Sequence, residues 1–232
     1  MREEEVSPSF PTQPGARRAA EVAMARGAET RKRILGTAVE LARREGLEAL
    51  TIGKLSEALE MSKAGLFAHF GSKEELQLAT VESARKVFIE RAVAPAFQAE
   101  AGISRLLALC ERWLDYSESF EGGCFFAAAS SEFDGRPGPV RDRVAECMKE
   151  WLSALERAVK EAQQLGHVSK DVDPRQVGFE LNALELGSNW AKQLFNDKSA
   201  VHRSRVAMRE RLHSIATPAG RKLLNPRVRT KA

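Results

Sequence analysis

From Glu29 to Ile215 the apolar residues return every three or four positions, and no run of β-branched residues alternates with polar ones. A period near 3.6 puts such residues on one face of a helix, whereas strands need a period of two. The chain is therefore expected to be all-α. Ile34, Leu35, Ala38, Leu41 and Ala42 share one face of a first helix, and Gly46 stands in the usual C-terminal stop position. A helix is expected from Ser72 to about Val93, closed or kinked by Pro95, with others over Ile103–Phe120, Cys124–Glu132 and Val140 to about Gly166. Asp173-Pro174-Arg175-Gln176 is an N-cap followed by Pro at the first helical position, and it opens a helix carrying Val177, Leu181, Leu184, Ser188 and Ala191. Ala200–Ile215 is the last expected helix.

Within this all-helical chain the stretch Thr51–Phe70, TIGKLSEALEMSKAGLFAHF, is the most specific. Thr51 and Ser62 are N-cap residues for two short helices separated by three or four residues. That is the helix-turn-helix pattern, whose second helix enters the DNA major groove. Leu55, Leu59, Met61, Leu66, Phe67 and Phe70 are spaced to lock the pair against the first helix. Lys63, Ala64, Gly65 and Ala68 are left to face a partner, and their small size suits close approach to base edges. Ser72-Lys73-Glu74-Glu75 then fits a capping box.

The 232 residues can bury a core without staples or metals. Three cysteines with no CxxC pair argue against a disulfide framework or a thiolate zinc site and suit a reducing cytoplasm. No apolar run approaches the roughly 20 residues that span a bilayer, and the N-terminus lacks the order of a secretory signal, so no membrane partner is expected. The formal net charge of +4 hides a pattern. Residues 16–73 carry net +4, residues 74–197 net −7 and residues 198–232 net +9. The expected organisation is a flexible arm (1–27), a helix-turn-helix unit (28–75), a larger helical unit (76–215) and a basic tail (216–232).

Catalysis finds little support. The four histidines offer no i, i+4 pair, and there is no nucleophile–base pair, Gly-rich phosphate loop or Glu-x-x-His repeat. No catalytic residue, metal or cofactor is expected, and an all-α enzyme is the contrasting alternative.

The segment from Glu29 to Ala79, ETRKRILGTAVELARREGLEALTIGKLSEALEMSKAGLFAHFGSKEELQLA, resembles the TetR/AcrR-type transcriptional repressors. The shared features are the helix order, the Gly46 stop, the Thr51-Ile52 entry, the Ser62-Lys63 turn exit, the Leu-aromatic-x-His-Phe core and Ser72-Lys73-Glu74-Glu75-Leu76. The resemblance implies that Ser62, Lys63, Ala64, Gly65 and Ala68 touch bases or nearby phosphates. It implies phosphate contacts for Thr51, His69 and Lys73, and gives Arg31, Lys32 and Arg33 reach to an adjacent phosphate or the minor groove. The chain departs from the family at Glu60, where Gly is common, at Gly65, where a hydroxyl is common, and at Phe67 and Ala68, where tyrosines are common. Left-handed backbone at Glu60 is expected to cost roughly 1 kcal/mol.

For the middle helices the resemblance implies a ligand cavity. Cys110, Trp113, Tyr116, Phe120, Phe125, Phe126 and Trp190 are candidates for its lining, although core packing is the default for such residues. Val144, Met148, Trp151, Leu155, Leu184, Gly187, Ser188 and Ala191 are candidates for a two-fold, four-helix interface, with internal core again the alternative. The expected function is a cytoplasmic homodimeric repressor on a (pseudo)palindromic double-stranded DNA operator, released by a small, largely apolar effector. A regulator controlled by a partner or by Cys110 and Cys124 is the runner-up.

Overall fold

A computed structural model describes residues 14–224. Helices α1 (Pro14–Glu45), α2 (Ile52–Leu59), α3 (Lys63–Phe67) and α4 (Lys73–Phe88) form the first unit and its exit. A π-helical turn, Ile89–Val93, joins α4 to α5 (Ala94–Ala96). The second unit comprises α6 (Ile103–Glu118), α7 (Phe125–Phe133), α8 (Pro139–Gln164), α9 (Pro174–Phe195), α10 (Ala200–Ile215) and α11 (Pro218–Leu224). The described residues contain no strand, only an isolated antiparallel bridge between Val168 and Ala216.

The start signals operate as the residue types dictate. Thr51, Ser62 and Ser72 accept hydrogen bonds from the backbone N–H groups of Lys54, Gly65 and Glu75 at 3.2, 3.1 and 3.0 Å, and Asp173 accepts one from Arg175 at 2.9 Å. Glu75 reaches back to the Gly71 N–H at 2.9 Å, one residue beyond the usual capping-box partner. Glu60 sits in the left-handed region at φ 53°. Pro95 has no N–H and crowds the carbonyl four residues back, and the widened π turn immediately before it absorbs that conflict.

Two boundaries are corrected. Residues 14–27, expected in an arm, are the first turns of α1. They lack an apolar stripe, but Ala, Arg and Glu have high intrinsic helix propensity, and Pro14 suits the first turn. Residues 1–13 lie outside the described part. Residues 218–224, expected in the tail, form α11, whose Gly220 and Leu224 are buried. Thr217 caps it by accepting from the Gly220 N–H at 3.2 Å. Residues 225–232 lie outside the described part.

One continuous core runs from Ile34 on α1 through Phe88 on α4 to Leu212 on α10. The basic α10 is largely neutralised by this packing. Arg205 pairs with Glu111 and Asp115 on α6, Arg209 with Glu111, and Arg211 with Glu180 on α9. These arginines of α10 are thus paired with carboxylates on α6 and α9.

Candidate nucleic-acid interface and ligand cavity

The first unit holds α3 as a short exposed helix on a buried footing. Leu66 and Phe70 are fully buried against Ile34, Leu50 and Leu55. Lys63, Ala64 and Ala68 are exposed, with Gly65 and His69 half-buried. Among the described residues Lys63 has no carboxylate within ion-pair distance. Lys73 donates to Glu48 at 2.7 Å and holds that carboxyl below the usual carboxylate range. Lys32 and Arg33 are exposed on α1, where Arg33 reaches the Met61 sulfur. Arg31 is turned inward instead: it donates to the His69 carbonyl at 2.7 Å and lies 4.4 Å over the Phe70 ring.

Phe67 corrects the expectation that it belongs to the core. It is 53% exposed, because Leu66 and Phe70 already fill the face of α3 that packs inward. It is an aromatic addition to the outward face, at a position where the resembled family commonly has tyrosine.

The second unit contains a cavity of about 690 Å³ between α4, the π turn, α6, α7 and α8. Phe88, Ile89, Val93, Trp113, Phe126, Met148 and Trp151 supply its apolar wall. Phe88 is the hub of the aromatic cluster, edge-on to Trp113, Tyr116, Phe126 and Trp151 at centroid distances of 5.2–6.5 Å. Of the expected lining residues, only Trp113 and Phe126 border the space. Cys110 and Phe125 are buried in the core. Trp190 is 57% exposed on α9 and lies edge-on to Phe195.

Tyr116 and Phe120 do something different from lining the cavity. Arg43, near the end of α1 and buried, donates to the Tyr116 hydroxyl and stacks 3.6 Å over Phe120, which Arg91 covers at 5.1 Å. They form one tie between the two units. Glu132 on α7 forms a second, accepting from the N–H groups of Leu47 and Glu48 at 2.7 and 3.1 Å. Gly46 permits that approach, since its φ is +92° and a Cβ there would lie 2.7 Å from a Glu132 carboxylate oxygen. Glu132 thus caps the α1–α2 turn, and α7 spans from the cavity wall at Phe126 and Ala127 to the first unit.

The expected interface stripe is also corrected. Val144, Trp151, Leu155 and Ser188 are buried within the protomer, and Met148 lines the cavity. Leu184 and Ala191 are half-buried, and only Gly187 is exposed. α9 is apolar on both sides, and its outward stripe is Phe179, Leu186, Trp190 and Leu194, of which Phe179, Trp190 and Leu194 are 57–64% exposed. The spacing of those residues, i, i+7, i+11, i+15, was present in the sequence but eclipsed by the inward stripe.

Burial governs the titratable groups here. It pushes the Cys110 and Cys124 thiols up to about 12 and the Cys147 thiol up to about 11. Glu185 is 0% exposed with neither carboxylate oxygen hydrogen-bonded, and burial raises it to about 8. The described residues contain no cluster of metal-ligating side chains and no helix long and apolar enough to cross a membrane.

Residues 34–80 match the family model for bacterial regulatory proteins, tetR family. Residues 102–208 match the tetracyclin repressor-like C-terminal domain. No curated protein sequence matches the chain. Among solved structures, the chain is similar to a TetR transcriptional regulator from Chloroflexus aurantiacus J-10-fl, at TM-score 0.77 and 22% identity, over 83% of this chain and 98% of that one. It is similar to a transcriptional regulator from Saccharomonospora viridis in complex with choline, at TM-score 0.69 and 24% identity, over 82% and 99%. It is also similar to AibR in complex with isovaleryl coenzyme A and operator DNA, at TM-score 0.62 and 23% identity, over 80% and 97%. At these identities the likeness establishes the fold.

Proposed function

Because this chain belongs to the TetR family of bacterial transcriptional regulators, DNA-binding proteins and not enzymes, we propose that it is a cytoplasmic homodimeric repressor released from its operator by a small, largely apolar ligand. The observation that carries this reading is an exposed, Ser62-capped α3 in a first unit that is tied at two points, through Arg43 and the α1–α2 turn, to the unit holding the aromatic cavity.

In this reading Ser62, Lys63, Ala64, Gly65, Phe67 and Ala68 approach the major groove, with Phe67 available to a thymine methyl. Thr51, His69, Lys73, Lys32 and Arg33 contact backbone phosphates and position the unit. Arg31 is reassigned from DNA contact to holding α1 against α3. Lys73 must exchange Glu48 for phosphate when DNA arrives, whereas Lys63 is free to engage at once.

A second copy packs on the outward stripe of α9, Phe179, Leu186, Trp190 and Leu194, with Gly187 allowing close approach. A (pseudo)palindromic operator would be read by two α3 helices about one DNA turn apart. The ligand favours a state in which that spacing is wrong, which is a shift of populations. AibR is solved with isovaleryl coenzyme A and the Saccharomonospora regulator with choline, which supports an effector role for the cavity here. The raised thiols weigh against control by Cys110 or Cys124, because little thiolate exists at neutral pH.

The test is selection of duplexes from a random pool, followed by titration over a range of salt. Lys73→Ala should weaken all sequences about equally, and Lys63→Ala should also relax the preference. Absence of any selected sequence would defeat the operator assignment. Light scattering of Trp190→Asp should report a monomer where the native protein is a dimer.

A further inference from the structure

The deep wall of the cavity carries no charge: Phe88, Trp113, Phe126 and Trp151 are buried hydrocarbon and indole. Every lining residue that is exposed lies on α8, so the space opens along that helix. The charges at this mouth are unequal in what they leave free. Glu150 accepts from Arg85 at 2.7 Å, and Glu146 accepts from Arg143 at 2.9 Å. Lys149 and Arg157 have no carboxylate within ion-pair distance among the described residues. They stand at i and i+8 on α8, about 12 Å apart along its axis, with Ser153 midway.

We propose that the cavity takes an apolar-bodied carboxylate, whose hydrocarbon fills the aromatic end and whose carboxylate lies between Lys149 and Arg157 beside Ser153. This rests on the reading of the cavity as the effector site. Burial of the hydrocarbon against the aromatic wall removes apolar surface from water, and the charged end gains charge-assisted hydrogen bonds without leaving the mouth. A cationic ligand would meet two unpaired cations and two carboxylates already held by arginine. Glu185 supplies no counter-charge, since it lies behind the wall and does not line the space. At roughly 30 Å³ for each water-sized group, the volume of 690 Å³ accommodates a ten-carbon chain.

The test is calorimetric titration of the native full-length protein with decanoate, decanol and decyltrimethylammonium. Decanoate should bind at least tenfold more tightly than either. Lys149→Ala/Arg157→Ala should remove that advantage while decanol binding stays within twofold, which also reports a folded cavity. Ala154→Trp, which fills the space, should abolish binding of all three. Equal binding of decanol and decanoate, or tighter binding of the ammonium, overturns the carboxylate assignment and leaves the effector reading standing. No binding of any probe, or decanoate binding that survives Ala154→Trp, overturns the effector reading of this cavity.

Discussion

Arg43 and Tyr116, 73 residues apart in sequence, share a buried hydrogen bond across the boundary between the DNA-facing unit and the cavity unit. Tyr116 in turn lies edge-on to Phe88, which lines the cavity. A ligand that moves Phe88 therefore presses on a residue bonded to α1. Tyr116→Phe leaves the Arg43 donor without its acceptor in a buried site, where the Nε is already unpaired. A loss of about 1–3 kcal/mol is expected, read as a lower urea midpoint at unchanged slope.

The second tie should behave separately. Glu132→Ala removes a carboxylate that caps two backbone N–H groups, each worth about 1.5–3 kcal/mol when the acceptor is charged. Hydrogen exchange at the Leu47 and Glu48 amides should accelerate at least tenfold, with exchange at Leu76 following only the global change. Unchanged exchange at the turn would mean that the cap is not formed in solution.

Glu60 carries a conformational cost that glycine would not. Its φ of 53° is left-handed and its side chain is exposed. Glu60→Gly should stabilise the protein by about 1 kcal/mol. Thermal unfolding would check this, and a lower midpoint would show that another interaction of Glu60 outweighs the strain.

Glu185 makes stability depend on pH in an unusual direction. Burial raises its folded value to about 8 from 4.5, so the folded state keeps a proton that the unfolded state releases. Its contribution is intact below about pH 4.5 and is lost as pH rises through about 8, with a slope of up to about 1.4 kcal/mol per pH unit. Glu185→Gln should flatten the decline between pH 5 and 8. Equal slopes in the two proteins, by denaturant titration at each pH, would refute the assignment.

The readable parts of the molecule were those set by local chemistry. Thr51, Ser62, Ser72 and Asp173 cap helices because a short side-chain oxygen three residues or fewer from a free N–H acts within its own turn. The strain at Glu60 was legible for the same reason. The site residues were less so. Phe67 and Leu66 are neighbours with equal claim to the core, and only the packing of α1 and α2 decides which is covered.

The sequence alone determined the helical class, the helix-turn-helix and the capped helix starts at Thr51, Ser62, Ser72 and Asp173, since periodicity and capping depend on neighbours a turn away. Tertiary structure decided which side of each helix faces what. α9 has two apolar stripes, and burial of Val177 and Leu181 leaves Phe179 and Trp190 outside. α6 offers Trp113 to the cavity but gives Tyr116, with Phe120 just beyond its end, to Arg43. α10 is basic in sequence and largely paired in the fold. Such choices depend on partners 31 to 98 residues distant, whose approach no local period encodes.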